Sequence, residues 1–74
     1  MRIDQFRDIL HRQPFAPFTI YMADGRKFEV RHPDFVAIRP SGRSVIVAAE
    51  EGTSFLDLSL IAELRVEDRD ERVA

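Results

Sequence analysis

Seventy-four residues without a cysteine allow one domain with a small core, and they rule out disulfides and thiolate metal sites. The hydrophobic share is 45% and the charged share 32%, the make-up of a soluble globular chain. The longest apolar run, Val45 to Ala49, is five residues, far short of a membrane span.

Met1-Arg2-Ile3-Asp4-Gln5 opens without the apolar stretch of a leader, so a cytoplasmic location is expected. His11 and His32 cannot make a zinc site by themselves, and no cofactor or metal is expected. Self-association is the stabilising device that remains for a chain this small. The net charge of −2 hides an asymmetry: residues 1–49 carry eight basic and five acidic residues, residues 50–74 three and eight. A nucleic acid would prefer the first part, although a solvated acidic tail accounts for the second.

Asp4 can cap a helix over about 4–12, with Phe6, Ile9 and Leu10 on one face and Pro14 ending it. Gln13 to Pro17 reads as an extended connector. Phe15 and Phe18 flank it and are placed to pin helix to sheet. Phe18, Ile20 and Met22 alternate with Thr19 and Tyr21, which predicts a half-buried strand over 18–22. Asp24-Gly25 is a hairpin signal and predicts a primed two-residue turn. Beyond it Phe28 and Val30 extend the apolar face, while Lys27, Glu29 and Arg31 point the other way.

His32-Pro33-Asp34 interrupts the ladder, since Pro33 has no N–H. Residues 27–39 therefore read as one long, sharply bent strand or as two short ones. Ser44 to Ala49 is apolar on both faces and is expected to be the most central strand. Strands over 54–58 and 62–66 follow, joined by a tight turn at Ser59-Leu60-Ile61. A charged tail over 67–74 is expected to fray. The fold expected is mainly β: an N-terminal helix, then a five-stranded, strongly bent antiparallel barrel of the Sm-like or SH3-like kind over residues 1–66.

Ile3-Asp4, Phe6 through Arg12, a proline, and then Thr19 to Phe28 resemble the opening of the bacterial RNA chaperone Hfq and the Sm-like proteins. Gln13-Pro14-Phe15-Ala16-Pro17-Phe18, Asp24-Gly25 and His32-Pro33-Asp34 also resemble a group of short uncharacterised bacterial proteins. The first resemblance implies rings built by strand-edge pairing and binding of single-stranded RNA. It puts Tyr21 and Lys27 on positions that serve RNA on the face opposite the helices, an aromatic beside a cation. The Tyr-Lys-His triplet of that family falls instead on Asp57-Leu58-Ser59, which offers neither stacking nor positive charge.

Three classes of function follow. The first is a non-catalytic oligomeric interaction module, with Phe55, Leu56, Leu58 and Leu64 as interface candidates, because Ser54–Leu58 carries only Asp57 as a charged guard. The second is a single-stranded RNA binder using Tyr21, Lys27, Arg26 and Arg43, with Arg31 and Arg39 completing a basic rim; solvated turns also carry such charges. The third is a hydrolase using His32 and Asp34, against which Pro33 fixing a bend, Asp34 capping the turn and His32 packing on the rim is the plainer reading. Glu50-Glu51 with Asp57 reads as surface rather than as a calcium loop.

Overall fold

A computed structural model describes residues 1–67. It contains α1 (Ile3–Leu10) and six strands: β1 (Phe18–Met22), β2 (Lys27–Val30), β3 (Val36–Ile38), β4 (Ser44–Ala49), β5 (Gly52–Asp57) and β6 (Ile61–Val66). The strands form two three-stranded antiparallel sheets, ordered β2-β1-β6 and β3-β4-β5. Among the described residues nothing closes these sheets into a barrel. The tail expected over 67–74 lies, from residue 68 onward, outside the described residues.

Six strands stand where five were expected because the segment 27–39 is divided. Pro33–Phe35 forms a single 3-10 turn between β2 and β3, and proline at its start is the reason: it sets φ and removes a ladder donor. A second 3-10 turn, Leu58–Leu60, joins β5 to β6, the tight connection expected there.

The helix begins earlier than expected. Arg2 holds the N-cap position, and Gln5 Oε1 accepts from the Arg2 N–H at 3.4 Å. Asp4 sits inside the first turn, where its charge suits the exposed N–H groups, and it lies 3.6 Å from Arg7. Phe6 and Leu10 are the buried helical residues. Phe6 meets Phe18 edge-on at 5.9 Å between centroids, and Phe15 meets Phe18 at 6.0 Å. The three rings tie helix and connector to β1.

The core is the inward face of each sheet with the helix over it. Phe18, Ile20, Met22 and Val30 come from the first sheet, and Val36, Val45, Val47 and Leu56 from the second. Leu58 and Ile61 join them where the chain passes from one sheet to the other. The alternation read from the sequence therefore has a physical cause: successive side chains on a strand point to opposite faces, and only one face is covered.

The β1–β2 turn is not the primed turn expected. Gly25 N–H donates to Met22 O at 3.0 Å, and Met22 N–H donates to Arg26 O at 2.8 Å. Gly25 has φ +95°, and among the described residues no residue other than glycine has positive φ. This is a three-residue loop, Ala23 to Gly25, in which only the glycine takes the left-handed conformation. Asp24 stays in ordinary space and instead accepts from the Arg26 N–H at 3.1 Å. Among the described residues no helix is long and apolar enough to cross a membrane.

Candidate functional site

The outer face of the first sheet carries Tyr21 and Lys27 side by side. They are direct partners in the β1–β2 register, and Tyr21 is also the partner of Glu63 on β6. Lys27 is exposed and Tyr21 half-buried. Arg65 lies over the tyrosine ring, 5.3 Å from its centroid, and its Nε donates to Glu63 at 3.1 Å. Thr19, Glu29 and Arg31 extend the same face, with Arg31 donating to Glu29 at 2.9 Å. Charges of both signs thus alternate across it.

The other expected RNA contacts do not gather there. Arg26 donates through Nε to both oxygens of Asp24, at 2.9 and 3.2 Å, and lies 5.8 Å from the Phe28 ring. Arg43 belongs to the turn before β4, where its carbonyl accepts from the Leu58 N–H at 2.9 Å. Arg39 is on that same side, since its N–H donates to Ser44 O. The rim expected over Arg26, Lys27, Arg31, Arg39 and Arg43 is split between the two sheets, and two of its five members are held by carboxylates.

His32 reverses its expected relation to Asp34. The Asp34 N–H donates to His32 Nδ1 at 3.1 Å, so the imidazole caps the 3-10 turn, and its ring lies against Phe35 with centroids 5.9 Å apart. That bond requires Nδ1 unprotonated, with the proton on Nε2 when the ring is neutral. Asp34 Oδ2 is 3.7 Å from Nδ1 and both side chains are well exposed. The serines are elsewhere: Ser59 donates to Asp57 at 2.8 Å through its hydroxyl, and Ser54 pairs with Val47. Asp57 stands at the opposite end of β5 from Glu50 and Glu51, opposite Ser44. Among the described residues no group of three acidic, histidine or cysteine side chains could hold a metal.

Two carboxylates have pKa values held below the ordinary aspartate range. For Asp24 the main cause is the Arg26 N–H, followed by the guanidinium. For Asp57 it is the Ser59 N–H and then the Ser59 hydroxyl. Both act as local turn caps.

Of the four interface candidates, Leu56 and Leu58 are 3% exposed, so their side chains are committed to this chain's own core. Leu64 is half-buried against that core. Phe55 is 65% exposed, and it heads a feature that the sequence reading passed over. In the β3–β4–β5 register Ala37, Ile46 and Phe55 form one row across the sheet, and Ala48 and Thr53 form the next. Their outward direction follows from the buried Val36, Val45, Val47 and Leu56 between them. The signal was present as a strand apolar on both faces. It led to the expectation of a central strand, and β4 is central within its sheet, yet among the described residues only one of its faces is covered.

The backbone adds a second feature. Among the described residues β5 has one neighbour, β4, and β6 has one neighbour, β1. Leu58 N–H donates to Arg43 O, and antiparallel ladders alternate. The N–H groups of Thr53, Phe55 and Asp57 therefore point to the free edge. On β6 the Glu67 N–H donates to Pro17 O, which leaves those of Leu64 and Val66 pointing outward.

Comparison with known proteins returned no matching family model, no matching curated protein and no matching solved structure.

Proposed function

We propose that this protein is a non-catalytic interaction module of the Sm-like kind that assembles with copies of itself through its strand edges. The supporting observation is the pair of six-residue edges, β5 and β6, each with one neighbour. The other two edges are defended by their brevity: β2 has four residues and β3 three, with Pro33 between them. β5 carries no lysine, no proline and, inside its length, no charge before Asp57. Pairing β5 of one copy with β6 of the next satisfies backbone groups on both, each hydrogen bond contributing about 0.5–1.5 kcal/mol net. Such a contact is heterologous and closes into a ring when the rotation between copies permits. A homo-oligomer of cytoplasmic location is the state this reading describes.

Thr53→Pro tests it. Thr53 is exposed and its N–H faces the free edge, so proline there removes an edge donor without breaking the β4–β5 ladder. Light scattering coupled to gel filtration is expected to give an oligomer for the wild type and a smaller species for the variant, at similar melting temperature. A wild-type monomer throughout the micromolar range would sink the reading.

A second reading rests on the Tyr21–Lys27 pair. One stacking ring beside one cation on a shared face is a minimal single-stranded RNA contact. Because Asp57-Leu58-Ser59 lacks the other site of the family, A-rich strands are expected to bind better than U-rich ones. Tyr21→Ala and Lys27→Ala would each weaken binding, and affinity would fall with salt. Labelled oligonucleotides at low salt decide it: no binding at tens of micromolar protein removes RNA as the partner.

A further inference from the structure

At the junction between the two sheets we infer a pH-sensitive switch set by His32. It holds the turn entering β3 closed while the imidazole is neutral and loosens it when the imidazole is charged. The observation is one nitrogen with two mutually exclusive partners. His32 Nδ1 accepts from the Asp34 N–H at 3.1 Å, and Asp34 Oδ2 stands 3.7 Å from the same atom. With its proton on Nε2 the neutral ring offers Nδ1 as an acceptor and caps the Pro33–Phe35 turn. In the imidazolium Nδ1 carries a hydrogen and can only donate, and the carboxylate becomes its partner. One atom cannot serve both arrangements at once.

The surrounding charges leave this choice to the imidazole. Among the described residues Asp34 is the one carboxylate within ion-pair distance of His32. The adjacent Arg31 is held by Glu29 at 2.9 Å. From the second sheet Glu50 and Glu51 border a groove that also takes in Glu29, Arg31 and Phe35, and neither reaches the imidazole. Phe35, the aromatic neighbour with centroids 5.9 Å apart, is uncharged. Histidine changes charge between about pH 5 and 8, and carboxylates do so well below that window. Within it, the imidazole is the one member of this group that titrates.

What the turn guards is the start of a sheet edge. Among the described residues β3 has one neighbour, β4. The Arg39 N–H donates to Ser44 O, so by alternation the N–H groups of Val36 and Ile38 face away from β4. The Val36 N–H is occupied by Pro33 O, and the Phe35 N–H by His32 O at 3.1 Å. The capped turn thus keeps the first edge donor of β3 in an internal bond. Protonation removes the cap, one of the few hydrogen bonds that hold so short a turn. The ion pair that replaces it joins side chains 58% and 85% exposed, and such a pair returns little. The Val36 N–H is then free for a larger share of the time. The device acts through backbone bonds of a single chain, so it stands whether or not copies assemble or RNA binds.

Nuclear magnetic resonance of isotope-labelled protein, titrated between about pH 5 and 8, tests it. At the alkaline end the His32 ring is expected as the tautomer with its proton on Nε2. On acidification the Asp34 amide is expected to move with the same midpoint as the His32 ring. The Val36 amide is expected to exchange several-fold faster once the intrinsic pH dependence is divided out, while the Ile20 and Val45 amides stay put. His32→Asn keeps an acceptor oxygen at the cap position without titrating, and it is expected to hold both responses flat. His11→Gln removes the other histidine and is expected to leave both as in the wild type. An Asp34 amide that stays still through the window overturns the inference, and so does a Val36 amide that ignores the charge on His32. A response as large in His32→Asn as in the wild type, a response lost in His11→Gln, or a neutral His32 protonated on Nδ1 would overturn it equally.

Discussion

The two sheets share a core but meet their surroundings in different ways. The first dresses its outer face in alternating charges: Lys27 and Glu63 flank Tyr21, Arg65 covers the ring, and Arg31 closes on Glu29. The second leaves Ala37, Ile46, Ala48 and Phe55 outward with no charge among them until the strand ends. The ion pairs on the first sheet's exposed face, Arg31 with Glu29 and Arg65 with Glu63, contribute little stability each, in the range of about 0–1 kcal/mol. What they supply is resistance to unintended association. The contrast shows where the chain is guarded by charge and where an apolar face is left open.

The largest separation between the two faces of this molecule is expected from phenylalanines. Phe18, 1% exposed, touches both Phe6 and Phe15. Phe18→Ala removes a core ring and its edge contacts and is expected to destabilise by about 3–5 kcal/mol. Phe55→Ala on the second sheet's outer face removes a ring that dilute monomer leaves in water, so the cost is expected within about 0.5 kcal/mol. Denaturant melts at low protein concentration measure both. A comparable loss for Phe55 would mean that its face is already covered within one chain.

Alternation made most of this legible from sequence. The apolar sets Phe18–Ile20–Met22 and Phe28–Val30, and their charged counterparts Lys27–Glu29–Arg31, follow from the two-residue period of a strand alone. Three things escaped it. The turn at Asp24-Gly25 was read from its commonest pattern, whereas the hydrogen bonds admit a third residue, Ala23, into the loop. The roles of His32 and Asp34 were exchanged, because spacing says that a cap exists but not which side chain turns inward. The uncovered face of β4 escaped because an apolar strand is compatible with burial on both sides, and only the count of layers shows that the second layer is missing. Whether Tyr21 and Lys27 meet depended on register, a long-range property that the hairpin happens to make local.

The hairpins of the two sheets differ in how tightly glycine is required, and this carries the next effect in size. Gly25 in the first sheet has φ +95°, and Gly42 before β4 has φ +73°. The latter is nearer the left-handed helical region that L-residues can reach. A Cβ at Gly25 meets nothing within 4 Å, and one at Gly42 would meet Ile3 at 3.9 Å, ordinary contact. Space is thus no obstacle at either, and backbone conformation decides. Gly25→Val, with a β-branched side chain, is expected to cost about 2 kcal/mol or more, and Gly42→Ala about 1 kcal/mol. Thermal melts rank them; equal or inverted losses would contradict the three-residue loop.

The smallest effect concerns the two capping aspartates, which sharpen the comparison because their donors differ in kind. Asp24 is held by a backbone N–H and a guanidinium, Asp57 by a backbone N–H and a hydroxyl. In both, the folded-state pKa lies below the ordinary value of 3.8. A depressed carboxylate contributes stability that is fully present above the unfolded pKa and is lost as pH falls through the folded one. Melting temperature is therefore expected to fall below about pH 4, and to fall less steeply in Asp24→Asn and Asp57→Asn, which keep an acceptor oxygen but do not titrate. Salt separates the two. The guanidinium part of the Asp24 contribution is screened, so added salt is expected to narrow the difference between wild type and Asp24→Asn near neutral pH. The neutral donors at Asp57 give salt little to screen, and its difference is expected to persist. Acid melts at low and high salt read both, and a salt response at Asp57 as large as at Asp24 would show that a cation outside its turn contributes to its field.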